Sequence, residues 1–289
     1  MELMESKQLV ASLHLAAKKE AARLVDAGFA PHLAVVLIGE DEASLRYIDI
    51  KSKRGKEDGV TVSVYYIEAD APKSEAQQMV DYLAGDTDVH GIIVQLPLPG
   101  SWSKAETADL IAKIPNHKDV DGLNGAWMEQ SYQGTGLKSL NLPFTSYLPP
   151  MVASVCLLLE AYQLPLEGKN IVVVGRGKLV GAPLTHFFEK QGLNVTAVDE
   201  HTDDIFSITS KADILIAGTG VENLITYQWV KEGATVMDCA NDVHRDSVDQ
   251  VARFVAPARG GLGPVTVAWL LRNVVAAAAQ QFRERGGQD

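Results

Sequence analysis

Short runs rich in β-branched residues alternate along this chain with stretches whose apolar residues recur every three to four positions. That alternation limits the fold more than any other feature. "LAVVLIG" (33–39), "VTVSVYYIEA" (60–69) and "VHGIIVQLPLP" (89–99) read as strands that run into turn residues. Helices are expected around them, over about 5–27, 42–57, 73–85 and 103–113. A βαβαβ run of this kind predicts a parallel sheet with helices on both faces. The periodicity then fails from Pro115 to Pro150, a stretch holding "PNHKDVDGLNG", "GTG" and "LPP". Irregular segments of that length are functional or are linkers.

The αβ pattern resumes with a helix from about Met151, a strand "NIVVVG" (170–175) and a helix from about Leu179. Four more strand-like runs follow: "NVTAVDE" (194–200), "ADILIAGTG" (212–220), "ATVMDCA" (234–240) and "ARFVAPA" (252–258). The expected fold class is therefore α/β, with two α/β domains and a cleft between them. The first domain covers 1–148 and the second, a Rossmann-type dinucleotide-binding domain, covers 149–270. The last helix, from Pro264 to about Arg283, is apolar on one side and is expected to return to the first domain, so that 271–289 joins it.

Composition narrows the function. The net charge of −11 argues against general nucleic-acid binding, so an anionic ligand must be held by local positive charge. The first residues are amphipathic and charged, which does not read as a secretory signal, and a cytoplasmic location is expected. The most apolar stretch, "VTVAWLLRNVVAAAA", is interrupted by Arg272 and Asn273, so no membrane span is expected. The two cysteines, Cys156 and Cys239, are far apart in apolar context and read as buried free thiols. His90, His117, His186 and His244 are dispersed without metal-ligand spacing, and no metal is expected.

"NIVVVGRGKLVGAPLTHFF" places Gly175, Gly177 and Gly181 between a buried strand and a helix with Pro183 in its first turn. The spacing is one residue longer than the usual dinucleotide fingerprint. A helix N-terminus there offers free N–H groups and the positive end of a dipole to a pyrophosphate. Asp199 ends the next strand, where an acidic residue holds ribose hydroxyls. Arg176 and Val180 belong to the same loop, and Thr219 and Gly220 close "ADILIAGTG"; all are candidates for cofactor binding. A plain strand–turn–helix with packing glycines is the other reading.

In "YIDIKSKRGKEDGV" (47–60), Tyr47 and Lys51 share a helix face with Ser44, at i, i+3 and i+7 from the serine. Lys51 read by itself is a solvated lysine and Tyr47 an aromatic at the core edge. Two other stretches point to chemistry. Gln95 lies in "VQLPLP" at the carboxyl end of a strand, where open α/β sheets bind ligands. Asp121 lies in "KDVDGLN". A lysine acts as a base near neutral pH only if its pKa is lowered, and burial and the neighbouring Lys53, Arg54 and Lys56 all push that way.

"ASLRYIDIKSK", "GIIVQLPLP", "KDVDGLN", "VVVGRGKLVGAP" and "GGLGPVTVAWLLRN" occur in an order and spacing that resemble the bifunctional methylenetetrahydrofolate dehydrogenase/cyclohydrolase family over nearly the whole chain. The resemblance implies that Tyr47 packs on the pterin side of a folate and that Lys51 is the acid/base of the cyclohydrolase step. It implies that Gln95 bonds and tunes the lysine, that Asp121 binds the pterin ring and that Ser44 supports the lysine's surroundings. Leu96, Pro97, Gly261 and Pro264 complete the implied substrate site. Two reactions are implied in one cleft: hydride transfer from methylenetetrahydrofolate to a nicotinamide, then hydrolysis of the methenyl product to formyltetrahydrofolate. A homodimer built through the second domain is implied as well.

The departures concentrate on the dinucleotide side. "PPMV" (149–152) stands where the family has a Pro-Cys-Thr-Pro turn, with "PFTS" (143–146) as the other placement. Arg176-Gly177 replaces Arg-Ser, Asp199-Glu200-His201 replaces Cys-His-Ser, and Arg259 replaces the proline before the double glycine. The family default is NADP, whereas Asp199 favours NAD. A cyclohydrolase with weakened dehydrogenase activity and a non-catalytic folate- or nucleotide-binding homologue stand as alternatives.

Overall fold

The computed structural model describes residues 1–126 and 147–287; the "GTG" and "PFTS" stretches lie outside them. The chain opens with β1 (Glu2–Leu3), α1 (Lys7–Asp26), β2 (His32–Ile38), α2 (Glu42–Asp58), β3 (Thr61–Ile67), α3 (Lys73–Gly85), β4 (Gly91–Val94) and α4 (Lys104–Ala112). It continues with α5 (Pro150–Ala161), β5 (Ile171–Val174), α6 (Gly181–Lys190), β6 (Val195–Val198), α7 (Ile205–Thr209) and β7 (Ile214–Ala217). Then come a 3-10 turn (Tyr227–Trp229), β8 (Thr235–Asp238), α8 (Arg245–Val248), β9 (Phe254–Ala256), a π turn (Ala258–Leu262) and α9 (Gly263–Glu284). Among the described residues, 11–126, 147–148 and 267–287 form one compact unit, and 1–10 and 149–266 form the other.

The first unit carries a three-stranded parallel sheet in the order β3-β2-β4. Successive side chains of a strand point to opposite faces, and β2 shows both faces buried. Leu33, Val35 and Leu37 join a cluster with Leu24 of α1, Ile48 of α2 and Leu270, Leu271 and Val274 of α9. Ala34, Val36 and Ile38 join the opposite cluster with Ala76, Val80 and Leu83 of α3 and Leu110 of α4. The strand is thus a central one, and its unbroken apolar run has that cause. Gly55 lets α2 lie close to β3: a Cβ there would fall 2.6 Å from Val62 Cγ2.

The other unit is a six-stranded parallel sheet in the order β1-β9-β8-β7-β5-β6. Val172 and Val174, Leu215 and Ala217, and Val236 and Val255 build one face of its core, packed on Ile225, Trp229 and Val248. Residues 1–10 belong here and not with the first sheet, because Glu2 and Leu3 pair with Phe254 and Val255. The division near α9 falls after Thr266 instead of after residue 270.

Among the described residues, α9 with the turn before it is long and apolar enough to cross a membrane by length and composition, Arg272 and Asn273 notwithstanding, but most of it is buried inside the protein. The physical source of its hydropathy is core packing: Val267, Leu270, Leu271, Val274 and Val275 are all buried in the first cluster. Cys156 and Cys239 are both free and buried. Among the described residues no group of three or more His, Cys, Asp or Glu is placed to hold a metal ion.

Candidate active site

Helix α2 starts directly after β2, and its start is fixed by Asp41, whose side chain accepts the Ser44 N–H at 2.8 Å. Ser44 is buried, while Tyr47 one turn on is 46% exposed, which leaves an aromatic face open at the rim. Lys51 comes one turn further. Its Nζ donates to Gln95 Oε1 at 2.9 Å. Gln95 is placed by the sheet: it follows β4, and its backbone N–H donates to Val36 O at 2.9 Å. The amide is oriented because Nε2 donates to Leu96 O at 2.9 Å. Its oxygen therefore has one task, which is to receive the lysine.

Lys51 and Asp121 are only half-buried as whole residues, yet desolvation dominates both charged groups. Burial lowers the Lys51 pKa from the ordinary lysine value, and the charge of Asp121 opposes the shift. Burial raises the Asp121 pKa, and Lys51 opposes that in turn. A lysine, an amide and a carboxylate thus meet at the carboxyl end of the sheet. A lysine so perturbed exchanges protons nearer neutrality than a solvated one.

The loop that carries Asp121 is built by two residues the sequence reading passed over. Lys118 is buried, and its Nζ donates to Leu83 O at 3.1 Å, Ala84 O at 2.9 Å and Asp86 O at 2.6 Å. All three protons of the ammonium are used on the carboxyl end of α3, where helix carbonyls lack partners. Asp119 is buried and accepts the N–H groups of Leu123 at 3.2 Å and Asn124 at 2.9 Å. Burial pushes its pKa up to about 7, the Asp121 charge adds to the rise, and the loop N–H groups oppose it. The loop is seated on β4 by Ile92 N–H, which donates to Lys118 O at 2.8 Å. The signal for both residues is in "KDVD", where they precede Asp121 by three and two positions.

In the other unit, Gly175 follows β5 with φ +101°, and a Cβ there would fall 2.8 Å from Gly218 O. Gly181 begins α6 with no room for a Cβ against the Gly175 carbonyl, whereas nothing lies within 4 Å of the Gly177 Cβ position. Two glycines close the turn and the third leaves an open approach to the ten-residue helix α6. That cradle fits a pyrophosphate. Val180 is buried, with its side chain against Gly218, and Thr219 and Gly220 follow β7, the sheet neighbour of β5.

Asp199 follows β6, as expected, but its carboxylate is already engaged. Arg176 Nε lies 3.0 Å from Oδ2, and Oδ1 accepts the His201 N–H and the Thr202 hydroxyl, both at 3.1 Å. Partial burial works to raise its pKa; the His201 N–H, the Thr202 hydroxyl and Arg176 outweigh that and hold it below the usual value. Arg176 also donates to Ala197 O at 2.7 Å.

The structure therefore brings Lys51, Gln95 and Asp121 together in the first unit, with Ser44 and Tyr47 on the same helix and Leu96 and Pro97 next to Gln95 in sequence. Gly175, Arg176, Gly177, Val180, Gly181, Asp199, Thr219 and Gly220 belong to the second. Gly261 and Pro264 also belong to the second unit, in the π turn and the first turn of α9. Gly261 is buried against Pro257 and the Met4 carbonyl, and Pro264 is exposed.

Comparison with known proteins bears on both units. The family described as tetrahydrofolate dehydrogenase/cyclohydrolase, catalytic domain, matches residues 4–121. The NAD(P)-binding domain of the same family matches residues 149–282. Bifunctional protein FolD of Lactobacillus helveticus is 34% identical over 278 residues, covering 91% of this chain and 93% of that protein. The crystal structure of the bifunctional FolD methylenetetrahydrofolate dehydrogenase/cyclohydrolase from Campylobacter jejuni is 32% identical, with a TM-score of 0.84 over 97% of this chain and 99% of that one. The Trypanosoma brucei methylenetetrahydrofolate dehydrogenase-cyclohydrolase, solved with NADP and an inhibitor, is 25% identical, with a TM-score of 0.85 over 97% of this chain and 98% of that one.

Proposed function

Because this chain belongs to the tetrahydrofolate dehydrogenase/cyclohydrolase family, we propose that it carries out both reactions. It oxidises 5,10-methylenetetrahydrofolate to 5,10-methenyltetrahydrofolate with a nicotinamide dinucleotide, then hydrolyses the product to 10-formyltetrahydrofolate. The observation that carries this reading is the Lys51–Gln95 hydrogen bond of 2.9 Å beside Asp121. A folate-binding protein without chemistry has no use for a desolvated lysine held by an oriented amide.

Tyr47 offers its exposed ring to the flat pterin, and Asp121 offers a carboxyl group to the pterin's polar edge. The Gly175–Gly181 loop would hold the dinucleotide, whose nicotinamide would supply the hydride acceptor for oxidation of the methylene carbon. Lys51 then serves the hydrolysis. As a free amine it takes a proton from the water that adds to the methenyl carbon. As an ammonium it returns that proton to N5 while the C–N5 bond breaks; the hydroxyl proton of the adduct passes to solvent, and the formyl group remains on N10. Gln95 keeps the nitrogen aimed through both transfers, and Asp121 stabilises the ammonium between them.

The cofactor is NAD in this reading. Asp199 and Glu200 put two carboxylates where the adenosine ribose would sit, and the doubly charged phosphate of NADP would meet both. Arg176 is already committed to Asp199 and Ala197 O, which lessens what it offers a phosphate. One lone pair of Asp199, on Oδ2, remains for a ribose hydroxyl. A homodimer, implied by the family resemblance, completes the reading, and a cytoplasmic location is proposed with it. Reduced-nicotinamide absorbance during methylenetetrahydrofolate oxidation, followed with NAD and then with NADP, tests it. NAD is expected to be used more efficiently, and Asp199→Ser should move the preference toward NADP. A tenfold preference of the wild type for NADP would overturn the cofactor assignment, and oxidation with neither would overturn the dehydrogenase half.

A further inference from the structure

Asp242 is a carboxylate with no exposed surface, and it lies outside every motif discussed above. Its Oδ2 accepts the Thr219 N–H at 2.5 Å and the Thr219 hydroxyl at 3.0 Å. Its Oδ1 accepts the Gly220 N–H at 2.8 Å. Its backbone is tied on both sides: its N–H donates to Asp238 Oδ1 at 2.9 Å, and its carbonyl accepts the Ile225 N–H at 2.9 Å. The preceding residue, Asn241, takes φ +62°, a left-handed conformation that turns the chain back under the sheet end. A buried carboxylate is tolerated only when donors replace its water, and here three donors come from two consecutive residues.

Those two residues are the turn after β7, and that turn abuts the glycine loop. The Gly175 Cβ position lies 2.8 Å from Gly218 O and 3.3 Å from Thr219 Cγ2, and that of Gly218 lies 2.7 Å from Val180 Cβ. The Thr219 hydroxyl in turn accepts the Val221 N–H at 3.1 Å, and Gly220 takes φ +76°. Strands β5, β7 and β8 are neighbours in the sheet. One carboxylate after β8 therefore fixes the turn after β7 against the loop after β5.

We propose that Asp242 is a positioning residue for the nicotinamide dinucleotide, clamping the Thr219–Gly220 turn so that it and the Gly175–Gly181 loop form one preorganised binding edge. This rests on the reading of the second unit as the dinucleotide-binding one. Asn at this position keeps one acceptor but turns an NH2 group toward N–H donors, so the clamp opens while volume is conserved. Asp242 belongs to the second unit and Lys51, Gln95 and Asp121 to the first, so hydrolysis reports folding independently.

The test is Asp242→Asn in the full-length protein. The dissociation constants of NAD and NADP are measured by titration calorimetry, methenyl hydrolysis is assayed alongside, and exchange of the Gly220 amide is followed. For the nucleotide that the wild type binds, the variant should show a Kd at least fivefold higher. The Gly220 amide should exchange faster, and methenyl hydrolysis should stay within twofold of wild type. A folded variant that binds the nucleotide as wild type does would overturn the proposal. Hydrolysis that falls in parallel with binding would also overturn it, because Asp242 would then be a staple of the whole chain. Should Asp242→Asn fail to fold, Thr219→Val removes one of the three donors; an unchanged Kd and unchanged Gly220 exchange in that variant would refute the clamp. A wild type that binds neither nucleotide would remove the cofactor reading and the positioning role together, whereas loss of binding in the variant alone supports both.

Discussion

Replacing Gln95 by alanine isolates what the amide does to Lys51. The oxygen accepts Lys51 Nζ at 2.9 Å and cannot turn away, because the amide nitrogen is held by Leu96 O. A hydrogen bond from a charged donor is worth about 1.5–3 kcal/mol, and one from a neutral donor about 0.5–1.5 kcal/mol. The amide therefore favours the ammonium over the amine by ~1 kcal/mol, so its loss weakens proton binding at Lys51 about fivefold. Burial already lowers the Lys51 pKa, and the substitution pushes in the same direction while Asp121 still opposes. The active form for water attack is the free amine, so hydrolysis rises as pH rises through the Lys51 pKa. In Gln95→Ala that rise should come at lower pH, and the plateau should fall because the amine is no longer aimed. The assay is the initial rate of methenyltetrahydrofolate absorbance decay over a pH series, with the uncatalysed rate subtracted at each pH. A rise at the same pH, or at higher pH, would refute the reasoning.

Lys118→Met keeps the buried stem and strands three carbonyls at the end of α3, so it should cost about 3 kcal/mol. In a unit of this size that is roughly 6–12 °C in Tm, measurable by calorimetry, and an unchanged Tm would show the ammonium to be dispensable. Gly91→Ala would put a Cβ 2.8 Å from Val120 Cγ1, next to Asp121, and should destabilise by about 1–3 kcal/mol. Hydrolysis should fall more in that variant than NAD binding does. Truncation after Asn273 removes Val274, Val275, Ala277 and Ala278 from the core of the first unit, together with the Gln281 bond to His90 O. It should leave an insoluble or unfolded protein, and a soluble, fully active truncation would contradict the packing described for α9.

Much of this architecture is legible in the sequence, for physical reasons that can be named. The apolar run of β2 is continuous because both faces of a central parallel strand are buried, and α3 shows its buried face at Ala76, Val80 and Leu83 through helical spacing alone. Strand β1 left no such trace: two exposed residues pair with β9 through backbone groups, which carry no side-chain pattern. The short helices α7 and α8 span five and four residues, too few for a period to show. At the site, spacing placed Tyr47 and Lys51 on one helix, but the Lys51–Gln95 contact joins residues 44 apart in sequence. The strand-end position of Gln95 put the two on one rim, and the family resemblance implied the bond between them. Asp199 was placed correctly at its strand end, while its partner Arg176 comes from a neighbouring loop, and such pairing depends on sheet order. Asp242 was missed because a carboxylate in "DCAND" gives no sign of being buried beneath a turn that lies 23 residues away.

The central claim is that Lys51 carries the proton in methenyl hydrolysis. Lys51→Met keeps most of the stem and removes the titratable nitrogen. With hydrolysis followed by methenyltetrahydrofolate absorbance, and folding checked by the unfolding transition, the variant should lose at least about a hundredfold in rate, as expected for removal of a general acid/base. It should still unfold cooperatively. A folded Lys51→Met protein that hydrolyses methenyltetrahydrofolate within a few-fold of the wild type would contradict the account.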